Sequence, residues 1–453
     1  MRTSDQNRKR HRENKDHASI LLRFFSDNSY GIRMFCLLML CHVVFSAYHY
    51  HNVYKNARAL SYGSSSSLQF ASNGAAIHQP LNSALHVSFA ETSQSTSASH
   101  PAPPQETTIE STGQTDVNPL NVDGGILPEW SLFSDSAKSE LQQILHWTKV
   151  TTFDYPDIFR LDELTQGHSL LFMSWAILAS PDSQKRIVES QDTANAEHTN
   201  LLHTFGIVPS TFLNYVRAIE QGYKNNPYHN HIHAADVLQT LHSLLVSEEG
   251  MRSKLTRLQH LSLLLAAISH DVGHDGTNNE FQVQTQSDLA IQYQNVSVLE
   301  NYHAEVGLRE LEASGMLKHL PLEQQEEIRN RISEAILHTD MSKHRDQVQA
   351  YKQMDDWERG MYLLHLCDIS NPTKSSSLIW VEHVLEEFYQ IGELQKSLGL
   401  PVTPMCDRIS ADKVSTQRGF LQYLVLPAFE EVEFSNPKIM EHLYANYEYW
   451  MQQ

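Results

Sequence analysis

Cysteine is scarce. Cys36, Cys41, Cys367 and Cys406 are the only four in 453 residues. Two lie in an apolar N-terminal run and two far downstream, so they form neither a secreted disulfide framework nor a paired C-x-x-C zinc knuckle. Basic charge is short as well: 34 Lys and Arg face 53 Asp and Glu, a formal net charge of −19. That balance disfavours a nucleic-acid partner, which needs clustered cations to neutralise phosphates. From about Pro128 onward, alternating strand patterns and Asn-Gly hairpin signals between β-rich runs are absent, which argues against a β-rich core. The apolar run MFCLLMLCHVVFSA, residues 34–47, falls short of the roughly twenty residues that span a bilayer comfortably.

The length accommodates a core of about 300 residues with additional sequence. Residues 1–33 form a basic, polar tail, and the run at 34–47 suits a signal-peptide core or a short signal anchor, with Phe45-Ser46-Ala47 as a weak cleavage site. Residues 48–127 are rich in Ser, Thr, Gln and Pro, and no Lys or Arg occurs from Ala59 to Ala137. Such composition predicts a disordered linker, because it buries too little apolar surface to offset its ordering entropy. If residues 34–47 are an anchor, the basic flank belongs on the cytoplasmic side and the rest of the chain on the other. The expectation is membrane association, with a cytoplasmic protein as the alternative.

Residues 128–453 read as helix almost without interruption. Ala234, Val237, Leu238, Leu241, Leu244 and Leu245 mark one stripe, Leu258, Leu261, Leu265 and Ile268 another, and Ile328, Ile332 and Ile336 a third. Trp357, Met361 and Leu364 continue the habit, as do Leu378, Val381, Val384, Leu385, Phe388 and Ile391. The predicted fold class is all-α, a compact multi-helix domain.

Polar residues interrupt these stripes at telling places. The stretch NPYHNHIHAADV puts His229, His231 and His233 within five residues. On a helix His229 and His233 would share a face and His231 would point away. The run LSLLLAAIS ends in His270-Asp271, two costly groups at the end of a core helix, which a cation would compensate. The Trp357–Met361–Leu364 face brings Asp368 to the next turn, before Ser370-Asn371-Pro372 ends the helix. His233, His270, Asp271 and Asp368 make a mixed N/O set suited to zinc or another transition ion, and their carboxylates can also bridge to magnesium or manganese. Paired ions of this kind serve phosphoester hydrolysis.

The helical core with its HD pair resembles the HD superfamily of metal-dependent phosphohydrolases. The strings YHNHIHAADV, ISHDVGHDGTNNEF, SVLENYH, HTDMSKH, CDISNPTK, GLPVTPMCDR and STQRGF resemble, in order and spacing, the class I cyclic nucleotide phosphodiesterase catalytic domain over roughly Leu141 to Tyr449. The resemblance implies a cyclic nucleotide substrate, cAMP or cGMP, and a two-metal hydrolysis to the 5′-monophosphate with a bridging hydroxide nucleophile. It implies that His233, His270, Asp271 and Asp368 hold the first ion, usually Zn2+, that Asp271 also reaches a second, usually Mg2+ or Mn2+, and that His229 is the general acid. Glu300 corresponds to a carboxylate that orients that acid and organises metal-bound water. His274, Asn279 and His303 fall at neighbouring polar positions. Gln417 matches a purine-reading glutamine, Phe420 the aromatic that stacks on the base and Val384 its opposite wall, with Tyr228 and Asn371 at the edges. Asn371 resembles the residue of cAMP-preferring members; dual specificity is the runner-up.

The chain departs from the pattern at Gly273, where an acidic residue is frequent, and at Asp275, Tyr302 and His338. It is also about two residues shorter between Lys374 and Val384. Two other readings remain open, an HD phosphohydrolase acting on another nucleotide phosphoester and an inactive nucleotide-binding membrane protein. Homodimerisation through the helical domain has no visible signature.

Overall fold

Two apolar helices fix the centre of the domain. The computed structural model describes residues 133–155, 157–180, 201–247 and 254–453, all within one compact unit. In chain order the helices used below are α1 (Asp135–Ile144), α2 (Ile158–Leu164), α3 (Ser169–Ser174), α4 (Pro209–Gly222), α5 (His231–Ser247), α6 (Arg257–Ser269), α7 (Asn279–Gln284), α8 (Val298–Ser314), α9 (Leu322–Leu337), α10 (Asp356–Asp368), α11 (Ser377–Ser397), α12 (Lys413–Phe420) and α13 (Lys438–Gln452), with shorter turns between. No strand occurs among the described residues, and the all-α expectation holds.

The run from His260 to Ser269 is buried on every side of α6, and in α5 burial extends from His233 to Leu245. A helix apolar all round must be enclosed by others. Accordingly α6 packs on α5, α9 and α10, and α5 also packs on α3 and α10. Start signals are local. Thr256 and Gln259 form a reciprocal capping box on α6, and Asp355 and Glu358 do the same on α10.

The anticipated stripes are buried or, at Leu258, Val384 and Phe388, partly buried, with one correction. Leu378 is 46 % exposed in the first turn of α11, next to the equally exposed Ile379, whereas Val381, Leu385 and Ile391 are buried. Periodicity identifies a face but not where the neighbouring elements stop covering it. A close approach further along α11 fixes the loop after it. A Cβ on Gly392 would lie 1.9 Å from the carbonyl oxygen of Cys406, so only glycine admits that backbone.

The segments at 1–33, 34–47 and 48–127 lie outside the described residues. Among those described, no helix is long and apolar enough to cross a membrane.

Candidate active site

Three mutually packed helices bring their ends together. His233 lies in the first turn of α5, His270 and Asp271 directly follow α6, and Asp368 is the last residue of α10. Two helix C-termini therefore point their negative ends at one spot, which favours a cation. Asn230 shapes the entry to α5, its side-chain oxygen accepting from the backbone N–H groups of Ile232 (2.9 Å) and His233 (3.3 Å).

The four side chains converge tightly. His233 Nε2 is 2.9 Å from Asp368 Oδ1, 3.3 Å from His270 Nε2 and 3.6 Å from Asp271 Oδ2. His270 Nε2 is 3.2 Å from Asp271 Oδ2 and 3.4 Å from Asp368 Oδ1. Four ligands held roughly 2.0–2.1 Å from a tetrahedral zinc would stand about 3.4 Å apart, so the set fits an ion. The orphaned Oδ2 of buried Asp271 makes the same point, since no protein group bonds it. The tautomer of His270 is set from behind by Nδ1, which donates to the Ala267 carbonyl at 3.0 Å and turns the Nε2 lone pair toward the cluster.

His229 does not lie on α5; the helix begins at His231, and His229 belongs to the bend before it. Its ring still reaches the cluster, 5.9 Å between centroids from His233. Asn226 anchors that bend, donating to the carbonyls of His229 and His274 at 2.9 Å each. The carboxylate on the His229 ring is Glu387, from α11, and not Glu300 as the sequence suggested. Glu387 Oε1 takes a short hydrogen bond from His229 Nδ1, and its Oε2 accepts from the backbone N–H groups of Tyr228 and His229 at 3.0 Å each. Glu300 instead receives both contacts of the Asn279 amide, at 3.1 and 2.9 Å.

Electrostatics separate these groups. Burial opposes charge on His229, but Glu387 outweighs it and raises the ring to about 9. Burial likewise opposes the charge on Glu387, and His229 overcomes it, lowering the carboxyl to about 2. His274 stacks on His229 with centroids 3.9 Å apart, and burial together with the His229 charge pushes it well below the usual imidazole range. One ring of the stack is thus charged and the other neutral. Burial lowers His303 to about 4, and its Nδ1 donates to the Val272 carbonyl at 2.9 Å. Burial and then Asp340 raise Glu300 to about 7.

Tyr228 packs its ring against His229 and His233, 4.8 and 4.7 Å between centroids, and donates its hydroxyl to Asn371 Oδ1 at 2.5 Å. Gln417 is buried in α12 with Phe420 half-buried at its end, and Val384 is half-buried on α11, one turn before Glu387. Among the described residues no hydrogen bond or ring contact ties Gln417, Phe420 or Val384 to the ligand cluster. His231 bonds Asp162 of α2 at 2.9 Å, which gives it a structural partner. Two of the departures meet one another: Gly273 has φ +81°, and a Cβ there would come 2.9 Å from Tyr302 Cε1. Glu387 went unnoticed in the sequence, although a signal existed. At the spacing of Val384 and Ile391 it is a carboxylate on an apolar face, only 1 % exposed.

Residues 228–446 match the family model for 3'5'-cyclic nucleotide phosphodiesterase. The chain is 35 % identical over 282 residues to a probable 3',5'-cyclic phosphodiesterase of Caenorhabditis elegans, covering 59 % of this chain and 40 % of that protein. It is 34 % identical over 297 residues to a probable 3',5'-cyclic-AMP phosphodiesterase of the same organism, covering 61 % and 41 %. To the human dual specificity calcium/calmodulin-dependent 3',5'-cyclic nucleotide phosphodiesterase 1C it is 36 % identical over 301 residues, covering 63 % and 40 %. The match spans about two fifths of these relatives' length.

Proposed function

Residues 228–446 are a catalytic domain of the class I cyclic nucleotide phosphodiesterase family, and from that premise we propose that the protein hydrolyses 3',5'-cyclic nucleotides, with cAMP preferred, to the 5′-monophosphate. The observation that carries the reading is the pairing of a four-ligand N/O cluster with a charged imidazole 5.9 Å from one of its rings.

The chain's own residues divide the labour. His233, His270, Asp271 and Asp368 would hold a zinc ion, and Asp271 is the carboxylate able to share a second ion, magnesium or manganese. When bound, such ions supply a nucleophile at neutral pH and stabilise charge on the phosphoryl oxygens. His229 keeps a proton on Nε2 for the departing 3′ oxygen while Nδ1 donates to Glu387. As the P–O3′ bond breaks, that proton passes to the leaving oxygen, and Glu387 stabilises the positive ring before transfer. Neutral His274, stacked on the ring, buttresses its orientation without competing for the proton. Gln417, Phe420 and Val384 would flank the base, with Tyr228 and Asn371 at its edge.

The test is hydrolysis of cAMP and cGMP by the full chain with magnesium and with EDTA. Metal-dependent release of 5′-monophosphate is expected, and its absence from a folded, zinc-loaded protein would refute the reading. We also propose membrane attachment through residues 34–47. Flotation of full-length protein with sealed vesicles tests it, and a wholly soluble full-length product would exclude it.

A further inference from the structure

A cavity of about 130 Å3 lies beside the first turn of α11, where the proposed chemistry makes no use of it. Asp154, Asp157, Asp236 and Gln239 line it, with Ile158 and Ile379 as apolar walls. Gln239 is only 3 % exposed. Its Nε2 donates to the carbonyls of Val150 at 3.0 Å and Thr152 at 2.9 Å. Those two acceptors fix the amide and turn Oε1 the other way, toward the cavity, where no group among the described residues bonds it. A buried acceptor without a partner calls for a donor from outside the chain.

The three aspartates repeat the pattern. Asp157 caps α2 with Oδ1, which accepts from the N–H groups of Phe159 at 3.1 Å and Arg160 at 3.3 Å. Asp154 uses Oδ2, which accepts from the Ser375 N–H at 3.0 Å. Asp236 also uses Oδ2, 2.6 Å from the Lys374 ammonium and 3.4 Å from the Asn371 amide nitrogen. The other oxygen of each has no partner among the described residues. The nearby basic groups are already engaged. Lys374 also lies 2.5 Å from Thr240 Oγ1, and His442 Nδ1, 3.7 Å from Asp154 Oδ2, donates to the Thr373 carbonyl at 3.1 Å. Open acceptors without a free charged donor reject an anion and suit a cation rich in N–H groups.

Spacing narrows the class of guest. Among the described residues, the groups whose ligand atoms all fall within 4.8 Å of one another do not include these three aspartates. Three acceptors around one ammonium nitrogen would stand roughly 4.7 Å apart, and around a metal ion closer still, so a point charge does not meet all three. A guanidinium spreads its N–H donors over a planar fork that matches carboxylates two at a time, and the two isoleucines offer apolar surface to its faces. We propose that this cavity binds a guanidinium group, of a small free compound or of an arginine side chain. The assignment is independent of the catalytic reading above.

The experiment is calorimetric titration of the full-length protein with methylguanidinium, its neutral isostere N-methylurea, methylammonium, and a capped Gly-Arg-Gly peptide. Methylguanidinium should bind at one saturable site and N-methylurea should not. D154N/D157N keeps a cap on α2 and a residue that tolerates the φ of +58° at position 154, and should weaken binding about tenfold. Ile379 is 46 % exposed, so I379R can supply the guest from the chain itself. It should abolish probe binding and raise the melting temperature, while I379L changes neither, and this pair decides the matter if D154N/D157N does not fold. Binding of methylguanidinium but not of the peptide assigns a free compound; binding of the peptide at least as tight assigns an arginine side chain. Absence of saturable methylguanidinium binding overturns the proposal, as does equal affinity for N-methylurea or methylammonium. Unchanged affinity in folded D154N/D157N, or in I379R, overturns it as well.

Discussion

Replacing Glu387 by Gln removes the charge that holds the proton on His229 while keeping a side chain of the same shape. In the wild type the ring sits at about 9 against an ordinary 6.5. At 1.36 kcal/mol per unit, the difference is roughly 3 kcal/mol in favour of the protonated form. At pH 7.5 the wild-type ring is therefore roughly 97 % charged. Without Glu387 only the opposing effect of burial and the weaker pull of Asp271 and Asp368 remain. A ring returned to the ordinary value would be about 9 % charged at that pH, a loss of about tenfold before any loss of orientation. The assay is the pH dependence of kcat on the preferred cyclic nucleotide. The wild-type rate should fall as pH rises through about 9, whereas the E387Q rate should already fall as pH rises through about 6.5, with E387D between. The same linkage acts on stability. The raised ring stabilises the fold fully below pH 6.5, and that contribution is lost as pH climbs through about 9. An E387Q enzyme with the wild-type alkaline limb would refute the reasoning.

Further outcomes follow from other contacts. H229A should lower cyclic nucleotide turnover by about 10²–10⁴, yet lower hydrolysis of bis(p-nitrophenyl) phosphate, whose leaving group departs without a proton, by less than about tenfold; equal losses would count against a proton donor. Chelation should lower the melting temperature of the wild type and leave D368A unmoved, since stabilisation by a bound ion needs its complete ligand set; equal sensitivity in both would place the ion elsewhere. G392A sets a Cβ 1.9 Å from the Cys406 carbonyl oxygen and should cost about 2–4 kcal/mol in urea unfolding, a loss under about 0.5 kcal/mol being incompatible with that close approach. G273A, at φ +81° and 2.9 Å from Tyr302, should cost about 1–3 kcal/mol. Adding Y302A should recover only the steric part, and a wild-type melting temperature for G273A alone would argue against both strain and clash.

What the sequence determined by itself is local or periodic. The spacing of leucines and isoleucines specified an all-α domain, because helical pitch is a property of the backbone and needs no partner. The His and Asp residues stood out because each interrupts an apolar face, His270-Asp271 at the end of α6 and Asp368 at the end of α10, where burial without compensation would be costly. Their convergence within 2.9–3.6 Å was decided by three helices packing end to end. The pairing of His229 with Glu387, across 158 positions, and of Asp236 with Asn371, across 135, likewise belongs to the tertiary structure. A motif names the titratable ring, but the carboxylate that charges it arrives on another helix. The place of His229 before α5 and the exposure of Leu378 have the same origin. Caps and coverage depend on which elements lie alongside, and no period in the chain encodes that.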